Sequence, residues 1–107
     1  MKIGKTTHRG GGEKRAMRPT IAEARAIALQ ILIFLSNDDE RMERFLALTG
    51  TNPGAIRALA GDDGFLRALL EHVCADEPLL VAFSAAEGGD PQIVAAACVA
   101  LGGTGFE

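Results

Sequence analysis

The chain has 107 residues, 48% hydrophobic and 23% charged, the balance of one globular domain that can build a core, not of a disordered polymer. Its two cysteines, Cys74 and Cys98, form no C-x-x-C pair, which removes the usual zinc and dithiol signatures and fits a reducing cytoplasm. The net charge of −3 conceals a division: up to Arg18 six basic residues stand against Glu13 alone, a balance of +5, and the remainder carries −8.

Residues 1–17 are glycine-rich, basic and nearly free of large apolar side chains, so they lack the surface to offset the entropy of ordering and read as a disordered tail. At Thr20 the composition changes. Thr20 and Glu23 have the spacing of a capping box, which predicts a first helix to about Ser36. Its apolar residues, among them Ile21, Ala24, Ile27, Ala28, Leu29, Ile31, Leu32, Ile33, Phe34 and Leu35, cover most of the helix circumference, so it is expected to be the central, most buried element. Residues 26–35 start too far from Met1, and lack a cleavage site, for a secretory signal, and ten residues fall short of the roughly 20 needed to span a bilayer.

Asn37 is expected to cap a second helix whose first turn, Asp38, Asp39 and Glu40, sets negative charge against the positive end of the helix dipole, with Met42, Phe45 and Leu46 facing the core. Thr49 and Gly50 end it. Asn52 and Pro53 open a short third helix with Ile56 and Leu59 inward. Asp62 or Asp63 caps a strongly amphipathic fourth, carrying Phe65, Leu66, Leu69, Leu70, Val73 and Cys74. Asp76, Glu77 and Pro78 open a fifth, stopped by Gly88 and Gly89. Asp90 and Pro91 open a sixth that closes at Gly102. No segment alternates apolar and polar residues over a strand's length.

Phe45, Gly50, Asn52, Pro53 and Ile56 recur as Phe83, Gly88, Asp90, Pro91 and Val94 at a constant offset of 38, so two similar helical hairpins are expected. Two copies are too few for a solenoid. The expected fold is therefore all-α: a compact bundle of about six short helices in residues 18–103, with a disordered tail before it and a flexible end at 104–107.

The run Glu43-Arg44-Phe45-Leu46-Ala47-Leu48-Thr49-Gly50, then Pro53, then Ala75-Asp76-Glu77-Pro78-Leu79-Leu80 and the closing hairpin resemble a family of small all-helical alphaproteobacterial proteins, a domain of unknown function. The resemblance covers about residues 18–103. It implies the helical fold and a bacterial cytoplasm, and it implies no activity, cofactor or site residue.

Residues that could carry chemistry have plainer explanations. Gly4-Lys5-Thr6 resembles the end of a phosphate-binding loop but lacks the upstream glycine and strand. The acidic runs Asp38-Asp39-Glu40 and Asp62-Asp63 have carboxylates suited to a hard cation, yet nine of the thirteen acids beyond Arg18 sit at helix starts, where capping accounts for them. His72, the histidine of the folded part, is two residues from Cys74, and residues two apart on a helix do not face each other. Cys98 remains a thiol the fold could bring to it, and a bystander histidine is the favoured reading. Ser36 and Ser84 lack a nucleophile elbow. No catalytic constellation, metal site or cofactor is expected.

The basic tail is the feature that suggests a ligand. Lys2, Lys5, Arg9, Lys14, Arg15 and Arg18 are candidate polyanion contacts, although no aromatic residue interleaves them and the body at −8 opposes the same polyanion. The expected function is thus a non-enzymatic interaction module that binds a protein partner or itself. The alternative is a nucleic-acid-associated accessory protein acting through weak contacts of the tail; no membrane partner is expected, since the tail has no amphipathic apolar face.

Overall fold

A computed structural model describes residues 19–87 and 89–102. The expectations of a disordered segment at 1–17 and a flexible one at 104–107 lie outside these residues, as do Lys2, Lys5, Arg9, Lys14, Arg15 and Arg18. The described chain is helical throughout, without strands: α1 (Ile21–Ser36), α2 (Asp39–Thr49), a 3₁₀ turn (Pro53–Ala55) running into α3 (Ile56–Leu59), α4 (Asp63–Cys74), α5 (Glu77–Glu87) and α6 (Pro91–Ala100).

Every helix except α3, which continues from the 3₁₀ turn without a side-chain cap, begins where a side chain satisfies an orphan amide. Thr20 and Glu23 form the capping box, Glu23 N–H donating to Thr20 Oγ1 at 3.0 Å and Thr20 N–H donating to Glu23 Oε1 at 2.8 Å. The expected cap of α2 is displaced by one residue: Asp38 accepts from Arg41 N–H, while the Asn37 N–H closes α1 by donating to Ile33 O. Asn37 cannot do both jobs, because its backbone already follows α1. Asp62 accepts from Phe65 N–H, Asp76 from Leu79 N–H and Asp90 from Gln92 N–H. The acids at helix starts are caps and first-turn charges, as expected. Gly50 ends α2 at φ +70°, in the left-handed region where a β-carbon is strained.

The repeat shows in matching local geometry. Asn52 Oδ1 accepts from Gly54 N–H at 2.8 Å just as Asp90 Oδ1 accepts from Gln92 N–H at 2.9 Å, and Phe45 and Phe83 are both buried. The hairpins diverge afterwards, since α3 spans a single turn and α6 runs ten residues.

Three helices, α1, α4 and α6, pack mutually; α2 lies against α1, and α5 against α4 and α6. The most buried element is α4, in which Phe65, Leu66, Leu69, Leu70, Val73 and Cys74 are all buried, half of its twelve residues. That corrects the expectation for α1, which buries only Ala24, Ala28, Ile31 and Leu35 of its sixteen. Its neighbours cover one side of it. Ile27, Leu32 and Phe34 pack at the margin of the core, whereas Ile21, Leu29 and Ile33 stay exposed.

Aromatic contacts bind the outer helices to this centre. Phe45 of α2 is fully buried and meets Phe65 edge-on at 5.9 Å and His72 at 5.1 Å, both on α4. Phe34 of α1 meets Phe83 of α5 at 5.5 Å, with the Arg41 guanidinium 4.9 Å above the Phe34 ring. Arg25 fixes the rotation of α1 against α4 through a two-pronged pair with Asp63, Nε to Oδ1 at 2.8 Å and Nη2 to Oδ2 at 2.9 Å. This pair raises the pKa of Arg25 and lowers that of Asp63, chiefly through the hydrogen bonds.

Candidate interaction surfaces

The groups that could have carried catalysis are separated or subdued. His72 is half-buried with its ring edge against Phe45, and burial holds its pKa below the usual imidazole value, with Asp76 opposing and Arg44 reinforcing the shift. The thiol that Cys98 approaches is that of Cys74, not the imidazole. Burial, followed by the Cys98 thiol beside it, pushes the Cys74 pKa up to about 12. A thiol that holds its proton so firmly is a poor nucleophile, since the thiolate is the reactive form. Ser36 Oγ donates to Leu32 O at 2.7 Å, and Ser84 is buried in α5. Among the described residues no three His, Cys, Asp or Glu side chains gather where they could hold a metal ion.

His72 does line an open groove between α2 and the α4–α5 corner. One part of it, about 190 Å³, is walled by Arg41 and Arg44 on one side and by Asp76, Pro78 and Leu79 on the other. An adjoining part of about 380 Å³ reaches Leu48, Ala75 and Glu77. The charges face each other across it. Arg41 is already engaged, over Phe34 and 3.8 Å from Asp38, and Asp76 caps α5. Neither part is lined by a hydroxyl or thiol side chain.

The second surface is the outer side of α1. Six large hydrophobic residues of the described chain are exposed, and three of them, Ile21 (50% exposed), Leu29 (37%) and Ile33 (62%), belong to this one helix. Ala22 and Ala26 are exposed on the same side as Leu29 and Ile33, whereas Ile21 lies roughly 100° away around the helix. At roughly 100° per residue, Ala22, Ala26, Leu29 and Ile33 fall within about 60° of arc, on the far side from Ala24, Ala28, Ile31 and Leu35. The helix thus has two apolar stripes, one in the core and one in solvent. Sequence reasoning saw both stripes as a single broad apolar surface; the signal that separates them is the spacing of 22, 26, 29 and 33, offset by two from 24, 28, 31 and 35.

The family model described as a protein of unknown function (DUF3572) matches residues 21–104. The chain belongs to the DUF3572 family. The match begins at the first residue of α1 and takes in every helix of the fold, so both surfaces lie inside the DUF3572 domain and the basic tail lies before it. Searches among curated proteins and solved structures found no match. No helix among the described residues is long and apolar enough to cross a membrane.

Proposed function

We propose that this DUF3572 chain is a non-catalytic interaction module of the cytoplasm that binds another polypeptide through the outer face of α1. The observation that carries the reading is the exposed stripe of Leu29 and Ile33 beside Ala22 and Ala26, on a helix whose opposite side is fully committed to the core. Helix faces of this kind supply recognition surface with i, i+4, i+7 anchors, and contiguous exposed apolar area marks interaction sites. The subdued Cys74 and the groove without a nucleophile support the non-catalytic part.

The test compares proteins cross-linked to the wild-type chain and to an Ile33→Glu variant in the native cytoplasm. The reading expects a specific set of cross-links to vanish in the variant while its circular dichroism is unchanged. An identical set from both would contradict it. A second reading rests on the +5 balance of the tail: salt-dependent binding of labelled RNA or DNA, lost when residues 1–17 are removed, would favour nucleic-acid association instead.

A further inference from the structure

From the residues of that outer stripe we infer that its partner is a second copy of this chain, docked antiparallel, α1 against α1. The inference rests on the proposed reading that the outer face of α1 is a docking face, and it names the occupant. The stripe is self-complementary in one arrangement. A two-fold axis crossing α1 midway between Ala26 and Leu29 sets Ala22 opposite Ile33 of the second copy and Ala26 opposite its Leu29. Leu29 and Ile33 then each face an alanine β-carbon of the second copy, which lets the helices approach closely and interdigitate. A parallel pairing would set Ile33 on Ile33 and Ala22 on Ala22, crowding one end and leaving the other unfilled. Two-fold symmetry also requires one patch to fit itself, which this spacing does.

Charge supports the same orientation. The seam itself holds none: of its flanking charges, Arg25 is tied to Asp63, and Glu23 accepts from Thr20 N–H. The two ends of α1 differ in sign. Immediately after its C-terminus come Asp38, Asp39 and Glu40, of which Asp39 and Glu40 are exposed and make no ion pair among the described residues. Immediately before its N-terminus the sequence carries Lys14, Arg15 and Arg18. Antiparallel pairing sets the start of one α1, which this basic segment precedes in sequence, beside the acidic end of the other, twice; parallel pairing sets like ends together.

A seam one helix long is smaller than the interface of a permanent dimer, so the association is of the weak, concentration-dependent class. Sedimentation equilibrium of the full chain is the experiment. The mass should climb from 11.2 kDa toward twice that over about 5 to 500 µM, and a chain that stays at 11.2 kDa throughout overturns the inference. Ile33→Glu should raise the dissociation constant at least about tenfold, whereas Val99→Glu, at an exposed residue of α6, should leave it unchanged; equal effects would place the contact elsewhere. Glu40→Lys and Arg15→Glu should each weaken association at low salt, and a mixture of the two variants should recover it, since each then offers the other an opposite charge. Recovery absent in the mixture contradicts the antiparallel order. Orientation has an independent readout in oxidised mixtures: Ala22→Cys with Ile33→Cys should give the mixed disulfide and Ala22→Cys alone should not, while the reverse would show a parallel pair. A chain monomeric at every concentration, whose Ile33→Glu variant still loses cross-links to another protein, would remove self-pairing and leave the interaction reading standing.

Discussion

Helices α1 and α4 are both rich in leucine and isoleucine or valine, touch each other along their lengths, and put that apolar content to different uses. In α4 the large apolar residues form one stripe and all of them are buried. In α1 they form two, and only the one carrying Ala24, Ala28, Ile31 and Leu35 reaches the core. A helix can be strongly apolar either because it is surrounded or because it works on two sides. The difference lies in where its polar residues fall: α4 has a polar face of Asp63, Arg67 and Glu71, while α1 has only Glu23, Arg25, Gln30 and Ser36 to mark its solvent side.

The contrast is broken most forcefully in α4. Leu70→Ala removes a fully buried side chain of α4 and should cost about 2–5 kcal/mol of unfolding free energy in urea titration, a large share of a small domain's total. If α4 tolerated it with a loss of a few tenths of a kcal/mol, the three-helix centre would be misplaced. The caps come next. Thr20→Ala and Asp62→Ala each remove a side-chain acceptor from a first-turn amide and should each cost about 1 kcal/mol in the same titration. Their effects should add, because they act on different helices.

The helix starts behind those numbers were legible in the sequence. Thr20, Asp62, Asp76 and Asp90 are short polar side chains just ahead of apolar periodicity, and capping is a local interaction that a local pattern reveals. Asn37 was misread by one position because Asn37 and Asp38 are both good caps, and the choice depends on where the preceding helix stops bonding. The two stripes of α1 were present in the sequence as a spacing, but that only one of them is covered was not legible, because periodicity says which residues share a face and not how many neighbours cover it. The approach of Cys98 to Cys74 was equally hidden, since it depends on how α6 lies on α4. The groove at His72 needed Arg41 and Arg44 of α2 to meet the α4–α5 corner, a non-local event.

The smallest expected effects concern titration. Burial lowers the pKa of His72, so the unfolded chain takes up its proton more readily than the folded one; this contribution is complete above about 6.5 and is lost as pH falls through the lower folded value. Melting temperature should therefore fall with acidification, and less steeply in His72→Gln. Cys74 has the opposite sign. Its raised pKa makes its contribution complete below about 9.0 and lost as pH rises toward about 12. In native protein at pH 8 both thiols should resist a thiol reagent that modifies them at once after denaturation, and rapid native labelling of Cys74 would contradict its burial beside Cys98.

Ile31 and Ile33 stand two residues apart on α1, one fully buried and the other 62% exposed, and they test the two-sided helix most directly. The measurement is urea unfolding of Ile31→Ala and Ile33→Ala at low micromolar protein, where self-association makes no contribution. The account predicts a loss of about 2–5 kcal/mol for Ile31→Ala and no more than about 0.5 kcal/mol for Ile33→Ala. Losses of equal size would mean that α1 is surrounded on both sides and has no outer face to offer a partner.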